Sequence, residues 1–305
     1  MKMKEKKSRK CSVWDICLES LKRTIFTYKF IVLGLVLMIL LLFATILNMD
    51  DGTEVNAFLM LFVWDKETLL QDPTNSFLNV MLNIKSGYFL NFAPLIVCLA
   101  LLPILTEEKE CGIYRYFLVR SSKWKMIVGK LIASLFCGGI LVCASYVLIG
   151  IVLYFKLPHG SDFPGIEIVF IYSEWLPESF FDLSLRQQHI LWFVKNCFGV
   201  FCFGMANAFW AYLLSAFVRN AYFIVCIPYI FIDFLEKKIS GLSIMGKLEE
   251  GSLLSIVKYI FPSNALEIGT IRKGTIYLIL SYFCFSILAV ILQKYSMERR
   301  KDCGT

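Results

Sequence analysis

Thr106–Lys130, TEEKECGIYRYFLVRSSKWKMIVGK, decides the fold class through its contrast with what surrounds it. Three Glu and six Lys/Arg lie between Glu107 and Lys130. The 19 residues before it, Tyr88–Thr106, and the 25 after it, Leu131–Phe155, carry no charge at all. A lipid-spanning helix needs roughly 20 consecutive, mostly apolar residues. The segment therefore reads as a hydrophilic excursion between two spans.

The whole chain fits that reading. Its 305 residues are 58% hydrophobic with a mean hydropathy of +0.66, far beyond what a water-facing surface tolerates. Runs of adequate length are Phe30–Leu47, Tyr88–Thr106, Leu131–Phe155, Ile190–Val218 and Gly274–Gln293, and a shorter sixth run covers Ala221–Ile232. The fold class expected is an all-α polytopic membrane protein, one transmembrane unit over residues 1–305 with no nucleotide-binding domain. Its six spans fall at about 30–48, 88–106, 130–155, 190–214, 220–235 and 274–293.

Charge sets the orientation. Residues 1–29 hold nine Lys/Arg, whereas the loop at 49–86 holds two against six acids and the loop at 156–189 two against five. The positive-inside rule then places the N-terminus and the 107–130 segment in the cytosol. This clustering beside the spans, with no patch of interleaved bases and aromatics, argues against a nucleic-acid partner despite the net charge of +7. The first apolar run lacks a small-residue cleavage site and is expected to be retained as a span. The eleven cysteines fall in cytosolic tails, the insert or the spans, so no structural disulfide is expected on the outer face. With no N-x-S/T sequon, the chain suits a bacterial plasma membrane.

Val13, Ile16, Cys17, Leu21, Thr24, Ile25 and Tyr28 recur at spacings of three and four, one face of an amphipathic helix over 12–29. It either lies along the inner membrane surface or is an early start to the first span. The fifth run is the weakest, because 12 residues cover only about 18 Å and Pro228 can bend it. Four bases in KYSMERRKD beside the last span favour six spans with the tail inside; a re-entrant fifth run would move the tail outside. Gly251–Pro262, GSLLSIVKYIFP, is too short to cross and reads as a re-entrant or interfacial helix before span six.

Motifs exclude more than they assign. Gly241–Leu248, GLSIMGKL, matches seven positions of a phosphate-binding loop but places Leu248 where a hydroxyl should hold magnesium. It also follows a span, where the motif needs a buried strand. The chain thus holds no visible motor. His159 and His189 are its only histidines, H-E-x-x-H and G-x-S-x-G are absent, and neither a catalytic nor a metal site is expected. Ionisable groups inside spans are functional candidates by default. Lys195 and Asp233 either pair across an outer gate or merely snorkel and terminate a helix. Asn91, Asn196 and Asn207 serve interhelical packing or line a polar path, with Lys195, Asp233, Asn91 and Asn207 as the path or gate candidates. Ser134-x-x-x-Gly138 and Gly204-x-x-x-Ala208 allow close helix approach, and Pro94 and Pro103 are expected kinks in the second span.

The insert itself carries Tyr114, Tyr116, Phe117 and Trp124, suited to pressing a short helix onto a soluble partner or onto headgroups. Glu108-x-Glu110-x-Gly112, then Arg120-Ser121-Ser122-Lys123, then Gly129-Lys130 opening a long span, resembles the E-x-E-x-G-T … P-V-S-R … G-K pattern of ABC-2 type transporter permeases. Ile113 stands where Thr is usual, and Val119-Arg120 where Pro-Val is usual. The resemblance implies a cytosolic coupling helix between spans two and three, docked on a separate ABC ATPase subunit that holds ATP and magnesium, while this chain binds no cofactor. It further implies a homodimer or a heterodimer with a second permease, and both termini in the cytosol. The interface residues it implies are Glu107, Glu108, Glu110, Gly112, Tyr114, Arg115, Tyr116, Phe117, Arg120 and Lys123. The function implied is ATP-driven export of an amphipathic peptide, lipid or drug. An ATP-independent carrier or channel, or an accessory peptide-immunity or sensing subunit, is the alternative.

Overall fold

A computed structural model describes residues 11–47, 54–72, 75–85, 87–107, 120–159, 162, 185–218, 220, 222–227, 229–230, 234, 238, 261–267 and 272–302. The protein is mostly helical. Helix α1 (Val13–Ile25) turns through 65° into α2 (Tyr28–Leu42). A two-stranded antiparallel sheet follows, β1 (Thr45–Leu47) on β2 (Glu54–Asn56), with Ile46 opposite Val55. Three short helices, α3 (Ala57–Phe62), α4 (Lys66–Leu69) and α5 (Phe77–Asn83), lead to α6 (Tyr88–Leu102). The long helices are α7 (Lys123–Lys156), α8 (Leu185–Leu214) and α9 (Arg272–Asp302).

Two helices, Lys123–Lys156 and Phe193–Leu214, are long and apolar enough to cross a membrane, or four if each bent pair, α1 with α2 and α5 with α6, forms one span. That range is compatible with a membrane protein. The outward faces agree, since Ile31, Leu35 and Ile39 of α2 and Phe283, Ile287 and Ile291 of α9 are all exposed and would be a liability in water.

Helix α7 is the hub, packed against α1, α2, α6, α8 and α9. Its antiparallel partner α8 crosses it where the two small-residue motifs meet each other. A Cβ added to Gly138 would stand 2.6 Å from both the Ala208 Cβ and the Gly204 carbonyl oxygen. Removing side chains lets two backbones approach, and close packing is what holds helices together when apolar surroundings offer no hydrophobic gain. Ser145 Oγ donates to the Gly34 carbonyl (3.1 Å), fastening α2 to the same helix.

Several boundaries differ from the hydropathy reading. The first apolar run stops being helical at Leu42 and its tail joins the sheet, because short apolar stretches rich in β-branched residues serve either element equally well. The polar-looking loop at 49–86 contains α3, α4 and α5. Gly87, with φ of 62°, supplies the left-handed residue at the 59° turn between α5 and α6. Pro94 lies inside α6, and Pro103 opens a π-helical turn, Pro103–Glu107, that ends it. Gly251–Ile260 of the expected re-entrant piece falls outside the described residues; Pro262 begins a 3-10 turn, Pro262–Glu267.

Candidate functional site

Five chain segments converge at the end of the bundle where the charged insert departs and returns. The chain leaves through the π turn at Glu107 and re-enters at Arg120, whose carbonyl accepts the Cys11 N–H (3.2 Å). One residue later α1 begins with a reciprocal cap: Ser12 Oγ accepts the Asp15 N–H (3.1 Å) and the Asp15 carboxylate accepts the Ser12 N–H (2.9 Å). Two otherwise unpaired donors are satisfied at once, so the start of α1 is fixed beside the insert's exit.

From there α1 lies across the first turns of α7. Ile16, Cys17, Ser20 and Thr24 are buried, and Gly129 is the contact point: a Cβ there would stand 3.0 Å from the Val13 carbonyl oxygen and 3.1 Å from the Ile16 Cβ. The glycine preceding Lys130 thus has a packing reason for being small. Lys130 itself is buried, and its carbonyl accepts the Ser134 hydroxyl (2.9 Å).

The other helices reach the same end through polar side chains aimed at backbone. Tyr212 of α8 donates its hydroxyl to the Ile127 carbonyl (2.9 Å). Gln293 of α9 donates to the Tyr212 carbonyl (3.1 Å) and to Ser215 Oγ (3.0 Å), and Ser296 donates to the Ala216 carbonyl (2.8 Å). Lys294 Nζ lies over the Trp124 ring, 5.4 Å from its centroid. The basic end of α9, the start of α1 and the insert's exit therefore share one end of the bundle.

Of the expected interface residues, Glu107 ends the π turn, Arg120 is exposed, and Lys123 is half-buried as the first residue of α7. Glu108, Glu110, Gly112, Tyr114, Arg115, Tyr116 and Phe117 lie outside the described residues.

The opposite end is polar in a different way. Lys85, at the turn between α5 and α6, is buried, and its ammonium donates to Asn196 Oδ1, also buried, on α8. Asn83 Nδ2 donates to the Asn79 carbonyl (3.0 Å) and Tyr146 donates its hydroxyl to the Met81 carbonyl (3.0 Å). Phe77 is ringed by Tyr154, His159 and Phe193, and its N–H bonds to the Pro158 carbonyl (3.0 Å). Cys143 Sγ reaches the Cys197 carbonyl at 3.6 Å. A cation in so apolar a bundle is expensive unless it is hydrogen-bonded.

The path candidates distribute unevenly around this cluster. Lys195 is half-buried beside Asn196, whereas Asp233 lies outside the described residues, so a pair between them is not described. Asn91 is half-buried, with its N–H on the Gly87 carbonyl. Asn207 is buried near the Gly138 crossing; its amide donates back to the Phe203 carbonyl (2.9 Å), while its Oδ1 has no hydrogen bond among the described residues. Among the described residues no three His, Cys, Asp or Glu side chains are grouped to hold a metal ion.

Lys85 is the residue that sequence reasoning passed over, counted only as one of two bases in a loop. A signal existed: it is the only charge between Asp72 and Glu107. A lone charge in so long an uncharged stretch marks a buried ionisable group.

No family model and no curated protein matches the chain.

Proposed function

We propose that this chain is the membrane-spanning permease subunit of an ATP-driven exporter of the ABC-2 type, in a bacterial plasma membrane with both termini in the cytosol. The observation that carries the reading is the convergence around the insert. The E-x-E-x-G segment leaves and re-enters the bundle where α1, the first turns of α7 and the basic end of α9 meet. A force applied to 107–120 acts on those three elements together.

In this reading the ATPase is a separate subunit that binds ATP and magnesium, and two permeases, identical or different, sit on two ATPases. Glu108, Glu110, Arg115 and Arg120 make charge-assisted contacts with the ATPase, and Tyr114, Tyr116 and Phe117 supply apolar contact. ATP-driven closure of the motors tilts α7 and opens the path alternately to each side. The substrate is an amphipathic peptide, lipid or drug.

The test is the double reversal Glu108→Lys/Glu110→Lys. ATP hydrolysis should become independent of substrate while membrane insertion and yield stay at wild-type level. Unchanged substrate-stimulated hydrolysis would refute the assignment, as would failure of the wild-type chain to co-purify with any ATPase bearing Walker motifs. One observation favours a second reading, an ATP-independent carrier: Lys85, held by Asn196 inside the bundle, is the kind of group that carriers use to bind an anion or relay a proton. Transport by the purified chain alone, abolished in Lys85→Met, would select it.

A further inference from the structure

We infer that Cys143 on α7 and Cys197 on α8 form a modification site: hydrogen peroxide closes the pair to a disulfide, which clamps the two helices together. The inference goes beyond the proposed function and holds whether or not an ATPase drives the chain. Geometry brings the two thiols together. Cys143 Sγ lies 3.6 Å from the Cys197 carbonyl oxygen, and the two thiols are also hydrogen-bonded to each other. They sit inside the antiparallel contact of α7 with α8, between two places where a glycine admits a ring. A Cβ added to Gly139 would stand 2.6 Å from the Phe201 ring, and one added to Gly150 would stand 2.7 Å from the Phe193 ring. Helices usually pack with their axes about 8–10 Å apart. The small residues here bring the backbones closer, toward the separation of about 4.4–6.8 Å between Cα atoms that a disulfide spans.

Access separates this pair from other thiols of the bundle. Cys17, Cys98 and Cys137 are buried, whereas Cys143 and Cys197 are both half-buried, next to exposed Ala144 and Phe198. Partial exposure in an electropositive setting distinguishes reactive cysteines from inert ones, and the Lys85 ammonium lies close enough to act electrostatically on Cys197. The surface around the pair is apolar, with Leu148, Val194 and Phe198 exposed, so an oxidant that reaches it must be small and uncharged. Hydrogen peroxide meets both conditions. One sulfur attacks a peroxide oxygen, the O–O bond breaks, and a sulfenic acid forms as the first water leaves. The second sulfur displaces the sulfenic hydroxyl, the S–S bond forms, and the second thiol proton departs with that hydroxyl as another water. Two thiols lose two electrons in all, and one peroxide is reduced to two waters. The new bond joins residues 54 positions apart and ties α7 to α8.

The test uses the full chain in lipid nanodiscs, treated with hydrogen peroxide, then denatured in N-ethylmaleimide, digested without reductant and read by mass spectrometry. The expected product, in most chains, is a peptide pair linked through Cys143 and Cys197, two hydrogens lighter than its separate halves and lost after dithiothreitol. Cys17, Cys98 and Cys137 should be recovered as maleimide adducts. The oxidised protein should unfold about 3 °C or more above the reduced protein, and neither Cys143→Ala nor Cys197→Ala should show the rise. Recovery of Cys143 and Cys197 as maleimide adducts, or linked mainly to other cysteines, would overturn the site. A Cys143–Cys197 bond that leaves the midpoint unchanged would overturn the clamp. Neither readout involves ATP hydrolysis, so failure here is distinguishable from failure of the ATPase-coupled reading, which the charge reversals at Glu108 and Glu110 test.

Discussion

The two ends of the bundle join their helices through different principal contacts. At the insert end, Tyr212, Gln293 and Ser296 all donate to backbone carbonyls of a neighbouring helix or its extension, and α1 rests on a residue without a side chain, Gly129. At the far end the link between the α5–α6 turn and α8 runs from side chain to side chain, Lys85 to Asn196, near a cluster of edge-on and tilted rings. Carbonyl acceptors cannot be mutated away and change position only when a whole helix moves, so the insert end behaves as one joined body. A side-chain pair can separate while the helices stay where they are. The difference teaches that a substitution can break the Lys85–Asn196 link at one end, whereas at the other only the donor can be removed.

The largest effect should come from the crossing that both ends share. Gly138→Leu drives a side chain against backbone and Ala208 with no escape route, so about 3 kcal/mol or more of destabilisation is expected. The readout is lost monodisperse protein in detergent and a lower unfolding midpoint. Next is the far end. Asn196→Leu removes an acceptor from a buried cation and should cost roughly 2–3 kcal/mol, and adding Lys85→Met should recover most of it, since an apolar pair replaces a buried polar one. A double-mutant cycle on thermal midpoints checks this; additive losses would mean that the two ends do not differ in kind.

At the insert end Gly129→Val should cost about 1–2 kcal/mol by lifting α1. The diagnostic is maleimide labelling of Cys17, now 1% exposed, as the sole remaining cysteine: it should rise severalfold in the variant, and unchanged protection would show that α1 does not depend on this contact. The smallest effect is Tyr212→Phe, about 1 kcal/mol for one lost hydrogen bond. It should not be recoverable by a second substitution, because its partner is the Ile127 carbonyl.

Much of the helical frame was legible in hydropathy, and the two small-residue motifs were found correctly although their meeting each other was not foreseen. The amphipathic face of α1 was only half legible. Tyr28, assigned to it by spacing, is 72% exposed, while Ser20, left out, is buried. Periodicity presumes that polar faces turn to solvent, and a helix between a protein interior and lipid can reverse that, putting small polar residues inward. The sheet at 45–56 was hidden by an apolar run with no internal break, and Lys85 by the habit of assigning every charge to a loop. Glu108, Glu110, Gly112 and the tyrosines of the insert lie outside the described residues.

Helix α7 runs 34 residues without a proline, roughly 51 Å at about 1.5 Å per residue, against a hydrocarbon core of about 30 Å. It begins three residues after the insert returns and ends two residues before the Pro158 carbonyl that holds Phe77 at the far end. Helix α7 is therefore a stiff rod longer than the hydrocarbon core of a bilayer. A tilt of a few degrees imposed at one tip arrives at the other as a shift of ångströms, with no relay between them to wear out or to regulate.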